Sequence, residues 1–585
     1  MDFIFFAFLL LFFTQLQSGF SEVFNIPLNS EASYKLYWTP NYELKSIKFE
    51  IHLTPSLNKG DWFALGFSNY GDFTYADYCF VLRDENGHYS IQDVWSDDDL
   101  MKIDERSQDC DGFSWSVRYN VTRFSFDRKF DTCDGDDLVI EDGTTHIVWL
   151  RGTQDLTNNE EDVDSISLTS ATEQGMERTQ LMKTLSPDNL NNREKAWSYV
   201  FHNTKLQVPT EETTYWCRVI RLPPELSETK HHVIQFESAI QPSSEGIVHH
   251  MELFHCIAPP EQDVPLYEGP CSSPTKPAPV ESCKSVIAAW AMGALPFKYP
   301  KETGRPLGGP SNNPYVMLEV HYNNPEHRTG LIDNSGLRLL ISKSLRRYDA
   351  GIMELGLEYT DKMAIPPRTP YFTLTGYCTS ECTTVSLPSQ GIKIFGSQLH
   401  THLTGKRVVT RHIRNGRELA ELNRDNHYSP HFQEIRLLKH AVTLLPGDAL
   451  ITTCVYNTQS RPNVTLGGFA ITDEMCVNYI HYYPLIDLEV CKSSVTSENL
   501  HTFFSYMHDW EGDRTNPDKG ISYNYNAIDW SPAKTRLLQE FFDQSTMSMQ
   551  CNQSNGLKFP GDWENLPNTP VLYPLPPKPR YCSPK

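Results

Sequence analysis

Two histidines stand one residue apart in "LHTHLTG", residues 399 to 405. On a strand, residues i and i+2 point to the same face, so His400 and His402 can converge on one ion while Thr401 turns away. In a chain with 20 histidines a bare His-x-His also fits an ordinary surface or packed pair, and a third donor is needed. "DEMCVNYIHYYP" offers Met475; a thioether beside two imidazoles favours copper, particularly Cu(I), over zinc or magnesium. Met475 taken alone equally fits a core filler. A second group lies in "IVHHMELFHC", where His249 and His250 are adjacent. Neighbours on a regular strand face opposite sides, so this pair can share an ion only at a bulge, at a strand end or through different ring nitrogens. His321, in the apolar run "VMLEVHYNNP", needs a partner of its own. The pair His231 and His232 in "TKHHVIQFE" shows that spacing alone does not separate ligand from bystander.

The elements that must position these residues read as strands. Between 34 and 151, "SIKFEIHL", "WFALGFS", "DYCFVLRD" and "HIVWL" alternate or run apolar between turn clusters, the sign of an antiparallel sandwich. From about 152 to 205 the chain turns polar and acidic, with a short helix predicted around "EQGMERTQLMKTL" and a connector elsewhere. Strand-rich blocks resume at "TTYWCRVIRLP", to about Leu340, and at "DAGIMELGLEY", to about Pro484. An aromatic, Asn- and Asp-rich extension and a proline tail follow. At 585 residues the chain exceeds what one core organises, so several domains are expected. The net charge of -22, from 73 acids against 51 bases with no basic run, argues against nucleic acid or anionic membrane as partner. Acidic loops such as "DTCDGDD" read as solvated.

Residues 3 to 13 are almost wholly apolar, with small and polar residues following near Ser18 to Ser21. This resembles a secretory signal, although Asp2 stands where a basic residue is usual. No stable membrane span is expected, because the run is short and no second one follows. The 14 dispersed cysteines suit disulfides of a secreted or secretory-pathway protein. The close pair Cys378 and Cys382 lacks the partner knuckle of a zinc site and reads as bridge-forming. Sequons at Asn120, Asn463 and Asn552 are compatible with glycosylation there.

In chain order, "TTYWC", "HHMELF", "AAWAMGA", "LEVHYNNP", "AGIMELGL", "MAIPPR", "LTGYC", "HTHLTG", "DNHYSPHFQEIR", "LPGD" and "EMCVNY" resemble the copper type II, ascorbate-dependent monooxygenases, on their dopamine β-hydroxylase-like branch. The resemblance covers nearly the whole chain and implies an all-β fold. Its parts are a signal peptide over 1–21, a DOMON β-sandwich over 22–152, a connector over 153–205, and two neighbouring jelly-roll-like β-sandwich copper domains over 206–342 and 343–492. An irregular C-terminal extension over 493–585 completes it. Position by position it implies one copper at His249, His250 and His321, which passes an electron, and another at His400, His402 and Met475, where oxygen is activated. Ascorbate is the implied reductant, and O2 and a small substrate, with a phenylethylamine such as dopamine as first candidate, are the implied partners. Tyr215 of "TTYWC" matches a tyrosine proposed to assist at the active site, so the resemblance implies Tyr215 and His400 as catalytic residues; packing against Cys217 is the alternative role of Tyr215.

The implied bridges are Cys217 with Cys271, Cys256 with Cys283, Cys378 with Cys491, Cys382 with Cys551, Cys454 with Cys476, and Cys133 with Cys582. By subtraction Cys79 is left to pair with Cys110. The Cys-x-Cys that links subunits on this branch is missing from "DWEGDRTNPDKG", so a covalent dimer is not expected, whereas a noncovalent homo-oligomer is compatible. The competing reading is a catalytically silent secreted protein that binds copper or another ligand. Loss of a ligand residue would favour it, and none is lost.

Overall fold

The structure, a computed structural model, describes residues 23–577 except 30, 154–165, 184–195 and 293, so the expected signal peptide and Cys582 lie outside the described residues. These residues divide into two compact units, one built from residues up to 67, 72–140 and 148–177, the other from 68–71, 141–147 and 178 onward.

The first unit is an all-β sandwich. Period-two alternation puts Ile47, Phe49, Ile51 and Leu53 of the strand Ser46–Leu53 inward, at the middle of a five-stranded sheet. Across the core lies a six-stranded sheet containing Asp61–Ser68, buried along its whole length, which explains why "WFALGFS" reads as a continuous apolar run. Cys79 bridges to Cys110. The helix predicted around "EQGMERTQLMKTL" does not form: Ala171–Thr179 is an edge strand hydrogen-bonded to Thr145–Thr153. Glu, Gln, Met and Arg favour a helix locally, but an open sheet edge overrides so weak a preference. The acidic loop is not uniformly solvated either. Asp136 stays exposed, whereas the Asp137 side chain turns inward with Asp77 toward the buried guanidinium of Arg128.

The second unit carries two further sandwiches. In one, Ala196–His202, Gly336–Ser342, Lys230–Ala239 and Thr303–Gly308 lie side by side in one sheet, and the second sheet runs Glu268–Pro270, Thr213–Arg221, Tyr315–Asn323, Val248–Cys256, Cys283–Ala291. In the other, Ile392–His400, Val477–Tyr483 and Gly351–Leu357 are central to one sheet, and Phe372–Cys378, Asp448–Tyr456 and Gly405–Arg414 form the second. The two share a core: Phe395 and Tyr483 of the third block are buried in the cluster formed by Val233, Leu253, Val320 and Leu339 of the second.

The extension after the third block is more ordered than its sequence suggests. Ser497–Asp509 and Pro532–Gln544 are helices, and Met547–Gln553 adds a strand beside Leu488–Val495. Leu500, Phe503, Phe504 and Met507 recur at helical spacing and are buried, and the Thr496 side chain caps the first helix by accepting from Asn499 N–H. Bridges Cys378–Cys491 and Cys382–Cys551 tie the third block together and to this extension. Cys217–Cys271, Cys256–Cys283 and Cys454–Cys476 complete those of the second unit. No cysteine among the described residues is free.

Candidate metal centres

The strand Val248–Cys256 meets its neighbour Tyr315–Asn323 in an irregular register. Val248 faces Tyr322 and His250 faces His321, so His249 is the extra residue of a β-bulge. The bulge turns the side chain of His249 to the side occupied by His250 and His321. The Nδ1 atoms of His249 and His321 each lie 3.2 Å from Nδ1 of His250. Tyr215, opposite His321 on the strand Thr213–Arg221, stacks flat on that imidazole with ring centroids 4.4 Å apart and lies 5.7 Å from the His250 ring.

Burial, first of all, lowers the basicity of all three imidazoles, and each is further depressed by nearby histidines. His321 is pushed down to about 3. Neutral rings present lone pairs, which is the state a metal requires. Three nitrogen donors converging within ligand distance of one another fit a late first-row ion such as copper.

His400 ends the strand Ile392–His400 and faces Val477 at the start of the strand Val477–Tyr483. The strand ends there, and the buried Met475 lies two residues before Val477, next along the chain from the loop whose Asp473 carbonyl meets His402. The His400 and His402 rings stand perpendicular with centroids 5.2 Å apart. Each ring has its Nδ1 occupied: that of His400 lies 2.6 Å from Gln433 Oε1 and that of His402 lies 3.0 Å from the Asp473 carbonyl. A proton held at Nδ1 leaves the ring's lone pair on Nε2. Burial, above all, holds His400 neutral, with its pKa down to about 4.

Glu474 gathers the turn around this pair. Its carboxylate accepts from the backbone N–H groups of His402, Thr404 and Met475 and from the Thr404 hydroxyl. Tyr456 donates to the Met475 carbonyl, and the Cys454–Cys476 bridge joins the two facing sheets one residue beyond Met475. The close approach that ends "HTHLTG" requires a glycine, since a Cβ on Gly405 would fall 1.9 Å from Thr401 Oγ1. No feature of residue type or spacing singles out Gln433, Asp473 or Glu474. Gln433 and Glu474 lie inside the quoted stretches "DNHYSPHFQEIR" and "EMCVNY", but their role depends on which backbone groups the fold brings to them.

The two groups lie within electrostatic reach of each other. His400 and His402 depress the basicity of His250, and His249 does the same to His400. Carboxylates lie nearby: Glu252 is raised to about 8, by burial first and then by Glu319 and Glu354. Glu354 accepts from Tyr359, pairs with Lys492, and adds to the field at Tyr479, whose ring is 6.2 Å from that of His400. The pair His231 and His232 has other duties. His231 Nε2 contacts the Thr229 hydroxyl and the Glu225 carbonyl, and His232 accepts from Arg346 N–H while its Nε2 meets Asp349.

Paired sandwiches that keep two groups of buried, neutral imidazoles suit a β-protein that works with a redox metal. Comparison with known proteins agrees. Residues 348–504 match the C-terminal domain and residues 199–329 the N-terminal domain of copper type II ascorbate-dependent monooxygenases, and residues 30–152 match the DOMON domain. Dopamine beta-hydroxylase of Bos taurus is 42% identical over 546 residues, covering 93% of this chain and 87% of its own. Tyramine beta-hydroxylase of Caenorhabditis briggsae is 37% identical over 95% of this chain and 94% of its own, and DBH-like monooxygenase protein 1 of Mus musculus is 34% identical over 81% and 75%. The cytochrome domain of Myriococcum thermophilum cellobiose dehydrogenase aligns with 27% of this chain and 81% of its own at a TM-score of 0.22, too slight a likeness to bear on the fold. The chain belongs to the copper type II, ascorbate-dependent monooxygenase family, and it is an enzyme of that class.

Proposed function

We propose that this enzyme hydroxylates a C–H bond of a phenylethylamine, using one copper held by His249, His250 and His321 and a second held by His400, His402 and Met475. The observation that carries the reading is the convergence of three neutral Nδ1 atoms, together with a second imidazole pair whose Nδ1 atoms are engaged by Gln433 and Asp473. When bound, copper supplies the one-electron steps and the activation of O2 that no positioned acid or base can provide. The chain's own groups do the rest. Gln433 and Asp473 keep the proton at Nδ1 of His400 and His402, and Glu474 fixes the turn that presents His402 and Met475. Tyr215 acts as a positioning residue at the three-histidine group; burial above all raises its pKa to about 12, so it remains a phenol.

An amine as substrate is supported by the carboxylates. Burial raises the Glu252 pKa to about 8, and an ammonium group arriving beside it would favour the carboxylate and recover part of the cost of burial. Two of the relatives are named for dopamine and tyramine, both phenylethylamines. The disulfides and the apolar leader support a secreted or secretory-lumen location, with ascorbate as the electron source.

The test is ascorbate-dependent O2 uptake by the copper-loaded enzyme over a panel of phenylethylamines, with Met475→Ala as control. Uptake coupled one-to-one to a hydroxylated amine, and abolished in Met475→Ala, is expected. Binding of two coppers with no coupled uptake for any amine would sink the substrate assignment.

A further inference from the structure

A groove of 570 Å³, lined by no histidine, opens on the second unit and lies within the about 300–1,000 Å³ typical of small-ligand sites. One wall comes from the third block, the loops holding Arg368 and Asn463; the other comes from the extension, around Trp530 and Thr535. Both walls are held in place. Arg368 N–H donates to the carbonyls of Thr458 and Arg461, and Thr458 N–H donates to the Thr369 carbonyl. Trp530 donates its indole N–H to the Tyr525 carbonyl, and Ser531 caps the helix Pro532–Gln544 by accepting from Lys534 N–H. Trp530 packs against the core on one side and lines the groove on the other.

The lining has the chemistry that recognises a sugar. A tryptophan and several prolines offer flat C–H and π surfaces, and Asn526, Thr535 and Arg368 offer polar groups for hydroxyls. The wall itself carries the attachment point, because Asn463 is exposed and begins the sequon Asn463-Val464-Thr465. Asn120 provides a contrast: it is exposed in the turn before the strand Val121–Lys129, with a φ of +60°.

We propose that Asn463 carries an N-linked glycan whose first sugar rings lie in this groove against Trp530 and clasp the C-terminal extension to the third block. Attachment forms a bond between Asn463 Nδ2 and the anomeric carbon of an N-acetylglucosamine; the amide loses a proton and the lipid pyrophosphate of the activated donor leaves. The proposal rests on the secretory reading above. A glycan seated this way is shielded from enzymes in the folded protein, whereas one on Asn120 projects into solvent.

The test uses full-length protein secreted from animal cells. Glycopeptide mass spectrometry should find Asn463 occupied. Release by peptide N-glycosidase, with each site normalised to its rate in denatured protein, should be about tenfold slower at Asn463 than at Asn120 in the native fold. Trp530→Ala should remove that protection, and Thr535→Arg, which crowds the groove without removing a core contact, should do the same if the first variant fails to fold. Equal native release at the two sites, or glycan on Asn120 with none on Asn463, would overturn the proposal alone. A chain kept in the cytosol with no glycan at Asn120, Asn463 or Asn552 would overturn the secretory reading along with it.

Discussion

Gln433 shows how much of the second histidine group depends on a residue that does not itself bind metal. Its amide oxygen holds Nδ1 of His400 at 2.6 Å while its own amide donates to the Pro430 carbonyl, so tautomer and ring angle are fixed together. Gln433→Leu should weaken copper binding at this group about 10–100-fold while leaving the three-histidine group at its original affinity. Copper titration followed by electron paramagnetic resonance separates the two; an equal loss at both would sink the assignment. At this scale the sequence was informative but incomplete. His400, His402 and Met475 stood out as candidate donors through residue type and the resemblance of the motifs in order, whereas Gln433, Asp473 and Glu474 act through an amide oxygen, a backbone carbonyl and a carboxylate whose targets exist only after folding. His249 lies between these cases. Alternation allowed it to join His250 only under a few backbone conditions, and the bulge that meets one of them adds no residue type that a sequence reader could detect.

At the scale of elements, the strands were legible because their inward faces alternate, as in Ser46–Leu53, or run wholly apolar, as in Asp61–Ser68. The strand Ala171–Thr179 was not, since pairing rather than propensity makes it. The helix Ser497–Asp509 did carry a visible stripe and cap, hidden among aromatic and amide residues that resemble loop. A two-residue strand, Tyr348–Asp349, joins the second and third blocks and yields a pH prediction. Asp349 is held down to about 2, chiefly by its hydrogen bond with His232 and then by Lys230, against an ordinary value of 3.8. Because the folded value is the lower one, its contribution to stability is complete above 3.8 and lost as pH falls through about 2. Denaturant midpoints of the parent and Asp349→Asn should therefore differ at neutral pH and converge toward pH 2; a gap independent of pH would rule this out.

At the scale of the whole molecule, long covalent loops hold the extension in place. Cys382 and Cys551 are 169 residues apart, so replacing both with serine should cost roughly 4–5 kcal/mol through the freed unfolded chain, read as a lower urea midpoint. An unchanged midpoint would mean that the pairing of Met547–Gln553 with Leu488–Val495 suffices by itself. The two sandwiches of the second unit are joined differently, since Phe395 and Tyr483 of one complete the interior of the other. Sequence families describe the two as separate domains, yet the interior of the first is finished only by aromatic rings of the second. They form a single heritable part: a gene that acquired one sandwich without the other would encode a protein with a hole in one half and bare aromatic rings on the other. Recombination can add or remove flanking modules, but this pair has to travel together.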